Sequence, residues 1–292
     1  MRILITGANG QLGSELRRTL TGGAHELTAL GSAECDVRDP VVVDSVLSQV
    51  RPDAVINCAA WTAVDAAESH REATFAVNAD GPANLARACR THRALLCQMS
   101  TDFVFDGAGH VPIDESVDPN PLSVYGASKL VGENAVRDTL PYAHLIVRTS
   151  WLYGWRGPNF VVTMLRLARE RDRLRVVADQ TGSPTWTGHV APALLRLLES
   201  DAQGTFHLSD SGSTTWHGFA VAIMEEAGLE IPVDAIATSD YPTPARRPRY
   251  SVLDNRHWRE LGSAPLPQWR EGLQAYIASG VPAAAAGQQA AV

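Results

Sequence analysis

The first twenty residues constrain the fold more than any other stretch of this chain. Met1-Arg2-Ile3-Leu4-Ile5-Thr6 reads as an apolar strand, Gly7-Ala8-Asn9-Gly10-Gln11-Leu12-Gly13 as a glycine-rich turn, and Ser14 to Leu20 as a helix. Gly7, Gly10 and Gly13 permit a tight turn and a close backbone approach to a diphosphate seated on the positive end of that helix. Their G-x-x-G-x-x-G spacing is one residue longer than the G-x-G-x-x-G fingerprint, yet it stands between a strand and a helix, where the fingerprint has meaning. The turn therefore points to a dinucleotide-binding domain.

The pattern continues. Glu26–Leu30 is a second strand, followed by Gly31-Ser32. NAD-selective domains place an Asp or Glu here to bond the adenosine ribose. The next acids are Glu34 and Asp36, so no carboxylate repels a 2′-phosphate and NADP(H) is expected to be tolerated. Asp39-Pro40 form an N-cap and N1 pair for a helix to about Val50. Asp36 and Val37 lie where an adenine edge is held, or simply in the loop entering that helix. Asp53–Ala60 is a third strand ending in small residues, which admit a cofactor or pack on the long helix expected from about Glu68 to Arg90. Ala94–Ser100 delivers Thr101 from a fourth strand, and Ala143–Arg148 is a fifth, ending at Thr149-Ser150-Trp151. Alternating strands and helices argue for α/β: a Rossmann-type doubly wound parallel sheet over residues 1–150, covered on both faces.

A smaller C-terminal α/β substrate domain is expected over 151–280. Helices are read over Phe160–Arg171, up to Glu199, over Trp216–Ala227 and near Gln268–Ile277, with a strand at Leu174–Val177. Strand-like segments near 204–209 and 251–254 are candidates to rejoin the main sheet, and the Ala/Gln/Gly-rich residues 281–292 read as a disordered tail. Arg246, Arg247 and Arg249 form a cationic cluster suited to a sugar-nucleotide diphosphate, or a solvated basic loop. Trp151 offers a flat face to a sugar or base, or packs in the core.

The chemistry centres on Thr101 and on Tyr125-x-x-x-Lys129, which opens a helix after a Pro- and Asp-rich loop. Residues four apart on a helix share a face, so Tyr125 and Lys129 are neighbours. An ammonium beside a phenol is expected to lower its pKa from an intrinsic ~10, tuning Tyr125 for acid/base work.

Composition excludes other classes. With 292 residues, a net charge of −7 and no Lys/Arg block, the chain lacks a nucleic-acid footprint. It has no run of 18 apolar residues, so no membrane span is expected. It opens directly on a strand, so no signal peptide is expected. Cys35, Cys58, Cys89 and Cys97 lack CxxC or zinc spacing and read as reduced thiols of a cytoplasmic protein.

GANGQLG at 7–13 and YGASKLVGE at 125–133 resemble the extended short-chain dehydrogenase/reductases. STDFVFDG at 100–107, RTSWLYG at 148–154, DQTGSPT at 179–185 and YPTPARRP at 241–248 narrow the resemblance, which spans 1 to about 278, to the dTDP-4-dehydrorhamnose reductases. The resemblance implies reduction of the C4 keto group of a dTDP-4-dehydro-6-deoxy sugar by NADPH or NADH. It implies a Thr101–Tyr125–Lys129 triad: Tyr125 gives the proton, Lys129 bonds the nicotinamide ribose and Thr101 bonds the carbonyl oxygen. Gln11, Leu12 and Gly13 would line the diphosphate turn, Asp36 and Val37 the adenine, and Ala59, Ala60 and Trp61 the cofactor ribose. Asp102, Trp151 and Arg246 would meet the dTDP-sugar. Some members carry a Glu beyond G-x-P-T that binds Mg²⁺ at a dimer interface; Trp186-Thr187-Gly188-His189 has no carboxylate, so no metal and a monomer are expected. Two rivals share the pattern: a sugar-nucleotide 4-epimerase or dehydratase that recycles tightly held NAD, and a non-catalytic regulatory subunit of methionine adenosyltransferase.

Overall fold

The computed structural model describes residues 1–280 and Pro282; the rest of the tail read at 281–292 lies outside the described residues. Its strands are β1 (Arg2–Thr6), β2 (Glu26–Leu30), β3 (Ala54–Asn57), β4 (Leu95–Thr101) and β5 (His144–Thr149), then β6 (Leu152–Tyr153), β7 (Leu174–Val177), β8 (Thr181–Gly182), β9 (Thr185–Trp186), β10 (Gly204–His207), β11 (Thr214–Thr215) and β12 (Val233–Ile236). Among the described residues, β10-β5-β4-β3-β1-β2 form a six-stranded sheet, and every pairing in it is parallel. The chain winds outward from β1 to β2, then returns across β1 to lay down β3, β4, β5 and β10 on the other side. The reversal between β1 and β3 leaves a crevice at the carboxyl ends of the strands, where sheets of this kind bind ligands.

The helices are α1 (Gln11–Leu20), α2 (Pro40–Val50), α3 (Val64–Ser69), α4 (Arg71–Phe75), α5 (Gly81–His92) and α6 (Val124–Thr139), followed by α7 (Phe160–Glu170), α8 (Thr187–Glu199), α9 (Trp216–Glu226), α10 (Arg256–Glu260) and α11 (Trp269–Ala278). Strand side chains alternate between faces, and the core follows that period. Ile3, Ile5, Ile56, Leu145 and Val147 pack with Leu12 and Leu16 of α1 and Leu194 and Leu197 of α8. Leu4, Val55, Leu96 and Ile146 face the other way, onto Leu47 of α2, Leu85 of α5 and Val136 of α6. A separate cluster of Tyr153, Phe219, Ile223, Leu273 and Tyr276 holds the C-terminal part together.

The helix expected from Glu68 to Arg90 is not continuous. α3 ends before His70, and a π-helical turn, Ala76–Asp80, joins α4 to α5. Pro82 lies just inside α5 and has no N–H to give the preceding turn, and a widened turn accommodates that loss. β10 lies beside β5 at the edge of the main sheet, whereas Leu253 makes an isolated bridge with Ile113. β12, in a stretch not read as a strand, pairs in parallel with β7. No helix among the described residues is long and apolar enough to cross a membrane.

Candidate functional site

Two cavities open at the carboxyl end of the sheet and meet at Gly10, Cys58 and Ala60. The smaller, about 340 Å³, lies between the ends of β1 and β2 and is lined by Gly7, Asn9, Asp36, Val37, Arg38 and Ala59, among others. The larger, about 540 Å³, runs from Gly10, Gln11 and Leu12 past Thr101, Asp102, Tyr125 and Lys129 to Trp151, Trp216 and Arg247.

A buried polar chain fixes the strand ends that form this floor. The Thr6 hydroxyl donates to Asn57 Oδ1 (2.7 Å), Asn57 Nδ2 to Gln98 Oε1 (2.7 Å) and Gln98 Nε2 to the Met99 carbonyl (2.7 Å). Asn57 Oδ1 also accepts from Ala59 N (3.0 Å), which sets the small-residue loop after β3. Asn78, in the π turn, grips both backbone groups of Trp61 and the Ser128 hydroxyl, locking that loop to α6.

The glycine turn is built tightly. Gly7 has φ of +66°, and a Cβ there would come within 2.4 Å of Ala59 N. No described side chain caps α1, so its first N–H groups face the junction of the two cavities. Gln11 Oε1 and Thr149 Oγ1, both from residues lining the larger cavity, are buried without a hydrogen-bond partner among the described residues. An uncapped helix end, whose free N–H groups donate, fits a dinucleotide diphosphate.

Tyr125 enters the cavity from the first turn of α6, whose N-terminus is held by the Ser123 hydroxyl accepting from Gly126 N (3.2 Å) and by Glu68 accepting from Val124 N (2.8 Å). Thr101 ends β4; its hydroxyl donates to Asp102 Oδ1 (3.0 Å) and accepts from Phe103 N (3.2 Å). The Phe103 ring meets Tyr125 edge-on at 5.5 Å. Lys129 is 4% exposed and its ammonium donates to the Met99 carbonyl (2.7 Å).

The expected downward tuning of Tyr125 is not what this geometry produces. Burial pushes the phenol up to about 12, against the hydrogen bond with Thr101 and with the help of the Asp102 charge. Lys129 has turned its ammonium to the Met99 carbonyl, and burial draws it down to about 8 while Glu133 opposes. Tyr125 is therefore a neutral phenol at physiological pH. Burial also lifts Asp102 to about 6, against the pull of the Ser251 and Thr101 hydroxyls. Cys58, on the cavity floor, is pushed up to about 12 by burial and is no nucleophile.

Most of the residues singled out in the sequence line the two cavities; Gly13, Trp61, Arg246 and Arg249 do not. Gly13 is buried behind the turn against the Gly7 carbonyl. The Trp61 indole donates to the Ala63 carbonyl and packs edge-on to His70. Arg246 is exposed and outside the larger cavity; Arg247 lines it instead. In extended chain adjacent side chains point apart, and Arg247 is drawn inward by Asp65, which binds it through both oxygens (2.7 and 3.0 Å). Trp151 reaches the cavity with φ of +46°, but one face is taken by Trp216, which stacks on it at 3.5 Å and 5°, and Gly182 lies against its Cε2, Nε1 and Cζ2. Trp216, Asn78 and Arg156, which also lines the larger cavity, have no motif to mark them. His189 hydrogen-bonds Asp210 (3.0 Å), and among the described residues no three His, Cys, Asp or Glu side chains converge on a metal position.

The family model described as the RmlD substrate binding domain matches residues 1–281. A dTDP-4-dehydrorhamnose reductase from Streptomyces griseus is 44% identical over 281 residues, covering 93% of this chain and 91% of the relative. The crystal structure of a dTDP-4-dehydrorhamnose reductase from Clostridium acetobutylicum ATCC 824 superposes with a TM-score of 0.93 at 42% identity, covering 95% of this chain and 98% of that one. The enzyme of that name from Bacillus anthracis str. Ames, in complex with NADP, gives a TM-score of 0.93 at 39% identity, with 95% and 99% coverage.

Proposed function

The chain belongs to the RmlD family of dTDP-4-dehydrorhamnose reductases, and from that premise we propose that it reduces the C4 keto group of dTDP-4-dehydro-6-deoxy-L-mannose, yielding dTDP-L-rhamnose at the expense of NADPH or NADH. The observation that carries the reading is the convergence of Thr101, Tyr125 and Lys129 on one cavity wall, continuous at Gly10 with the uncapped end of α1. The glycine turn and the α1 N-terminus hold the diphosphate, and Asp36, Val37, Ala59 and Ala60 hold the adenosine half. NADPH, once bound, supplies the hydride that C4 accepts. Tyr125, neutral at physiological pH, gives its proton to O4, while the Thr101 hydroxyl donates a hydrogen bond to the same oxygen. Lys129 orients the nicotinamide ribose. Arg247 takes the sugar-nucleotide diphosphate in exchange for Asp65, and Asp102 and the free edge of Trp151 bound the sugar.

On the same reading residues 1–150, joined by β10, serve as the cofactor domain and the rest of 151–280 as the substrate domain of a cytoplasmic monomer that uses no metal. The test is NAD(P)H oxidation at 340 nm with the purified chain and dTDP-4-dehydro-6-deoxy-L-mannose. Stoichiometric NAD(P)H consumption is expected, and Tyr125→Phe should lower kcat by roughly 10²–10⁴, the usual scale of general acid catalysis. A chain that purifies with NAD and interconverts sugar nucleotides without added NADPH would be an epimerase instead. One that turns over no keto sugar and copurifies with a synthetase would be the regulatory type.

A further inference from the structure

Glu133 stands one helical turn beyond Lys129 on α6 and is fully buried. Its Oε1 accepts from the Ser100 hydroxyl (2.5 Å) and from Arg148 Nε (2.9 Å), and its Oε2 from Arg148 Nη2 (2.6 Å). Arg137, half in solvent, adds a longer contact of 3.6 Å. A carboxylate taken out of water survives only when it is paired and hydrogen-bonded, and this one is bound on every side. Its partners are informative. Ser100 lines the larger cavity directly before Thr101, and Arg148 comes from β5, the strand paired with β4.

We propose that Glu133 is a positioning residue for the reaction: it anchors the Thr101-bearing end of β4 to α6 and supplies the negative charge that keeps buried Lys129 an ammonium. The inference rests on Lys129 serving the reaction as proposed above.

The charges around Lys129 leave this role to Glu133. On its own helix Lys129 is flanked by Tyr125 and Glu133. At the end of β3 it meets the Cys58 thiol, and beyond Thr101 lies Asp102, itself lifted to about 6 by burial. On β5 the charged group is Arg148, which Glu133 neutralises. Of these, Glu133 makes the largest opposition to the burial that draws Lys129 down to about 8, with Cys58 contributing less. Both Glu133 oxygens are spent on Ser100 and Arg148, so the effect on Lys129 is through space along the helix and does not depend on a direct bond.

The experiment compares the full chain with Glu133→Gln, Glu133→Asp and the double variant Glu133→Leu/Arg148→Met. The double variant removes both buried charges together, an exchange that buried pairs commonly tolerate. Two pH profiles are read: kcat/KM for the keto sugar nucleotide, and NADPH binding by enhancement of its fluorescence. The expected result is that the basic limb of both profiles moves down by about one pH unit or more in the Gln and double variants, the low end of the ~1–3 units an adjacent opposite charge contributes. For a one-unit shift that is roughly a fivefold loss of NADPH affinity relative to wild type near pH 8, approaching tenfold at higher pH. Glu133→Asp, which keeps the charge, should restore the limb. A folded double variant with the wild-type limb overturns the proposal. So does a double variant that cannot fold, since Glu133 would then serve the fold rather than Lys129. If the wild-type chain fails to oxidise NADPH with the keto sugar, the functional reading fails instead, while the binding profile still decides the role of Glu133.

Discussion

A methyl group at position 126 should damage catalysis while leaving most of the cofactor site alone. Gly126 sits next to Tyr125 in the first turn of α6, pressed against the short 3₁₀ turn Asp102–Val104 that follows Thr101. A Cβ at Gly126 would lie 2.1 Å from the Phe103 carbonyl oxygen and 3.0 Å from the Phe103 carbonyl carbon. Both neighbours are backbone, so no side chain can swing away. Relief to an ordinary contact requires the helix end and the turn to separate by roughly 1 Å, and those two pieces carry the phenol and the Thr101 hydroxyl that, in the proposed mechanism, meet one oxygen. A misplacement of ~1 Å in a reacting array costs on the order of 10² in rate. Gly126→Ala should therefore lower kcat about a hundredfold and destabilise the fold by about 1–3 kcal/mol, the usual cost of overpacking. NADPH affinity should change less than threefold, because the glycine turn and adenosine pocket lie on other elements. Steady-state kinetics, a cofactor titration and denaturant unfolding measure the three quantities separately. A variant with kcat within threefold of wild type would refute the claim that this backbone contact sets the Tyr125–Thr101 geometry.

Two further predictions follow from the site. Arg247→Ala should raise KM for the sugar nucleotide by roughly 10- to 100-fold, the ~1.5–3 kcal/mol of a charge-assisted hydrogen bond, whereas Arg246→Ala should change it less than twofold; the reverse ranking in steady-state assays would return the diphosphate to Arg246. Asp102 has a folded-state pKa of about 6, above the unfolded value of ~3.9, so the stability its proton contributes is complete below pH ~4 and is lost as pH rises through about 6. Asp102→Asn should therefore stabilise the protein at pH 7.5 by on the order of 2–3 kcal/mol and make little difference at pH 4, with reduced turnover; equal unfolding midpoints for the two proteins at pH 7.5 would contradict the burial argument.

What could be read from the sequence is what local rules determine. The β1–turn–α1 unit, the strand-end Thr101 and the Tyr125/Lys129 pair follow from period and spacing, and the structure brings them to one cavity. The polarity of the Tyr125 shift did not follow, because spacing makes two side chains neighbours without saying where the longer one points. Lys129 chose the Met99 carbonyl, and burial prevailed. The choice between Arg246 and Arg247 depends on Asp65, far away in the chain. Trp216 and Gly182, from separate elements, close on Trp151, so a ring that looked free is packed. β12 escaped because its partner β7 lies across α8, β10 and α9 in the chain, and a four-residue strand leaves little pattern.

The edge position of β10 has a consequence for how the molecule lives as one object. The last strand of the six-stranded sheet comes from residues 204–207, after the chain has already built α7 and α8. During synthesis the sheet stays incomplete until that strand emerges, and β5 waits with a row of unpaired N–H and C=O groups along Leu145 to Arg148. Such a bare, apolar edge invites pairing with another chain. A fragment ending near residue 150 would carry that edge permanently, so cutting the protein at the boundary its sequence suggests should yield aggregates instead of a free cofactor-binding module. The two halves are stitched together like the leaves of a folded book, and neither can be removed without loosening the spine.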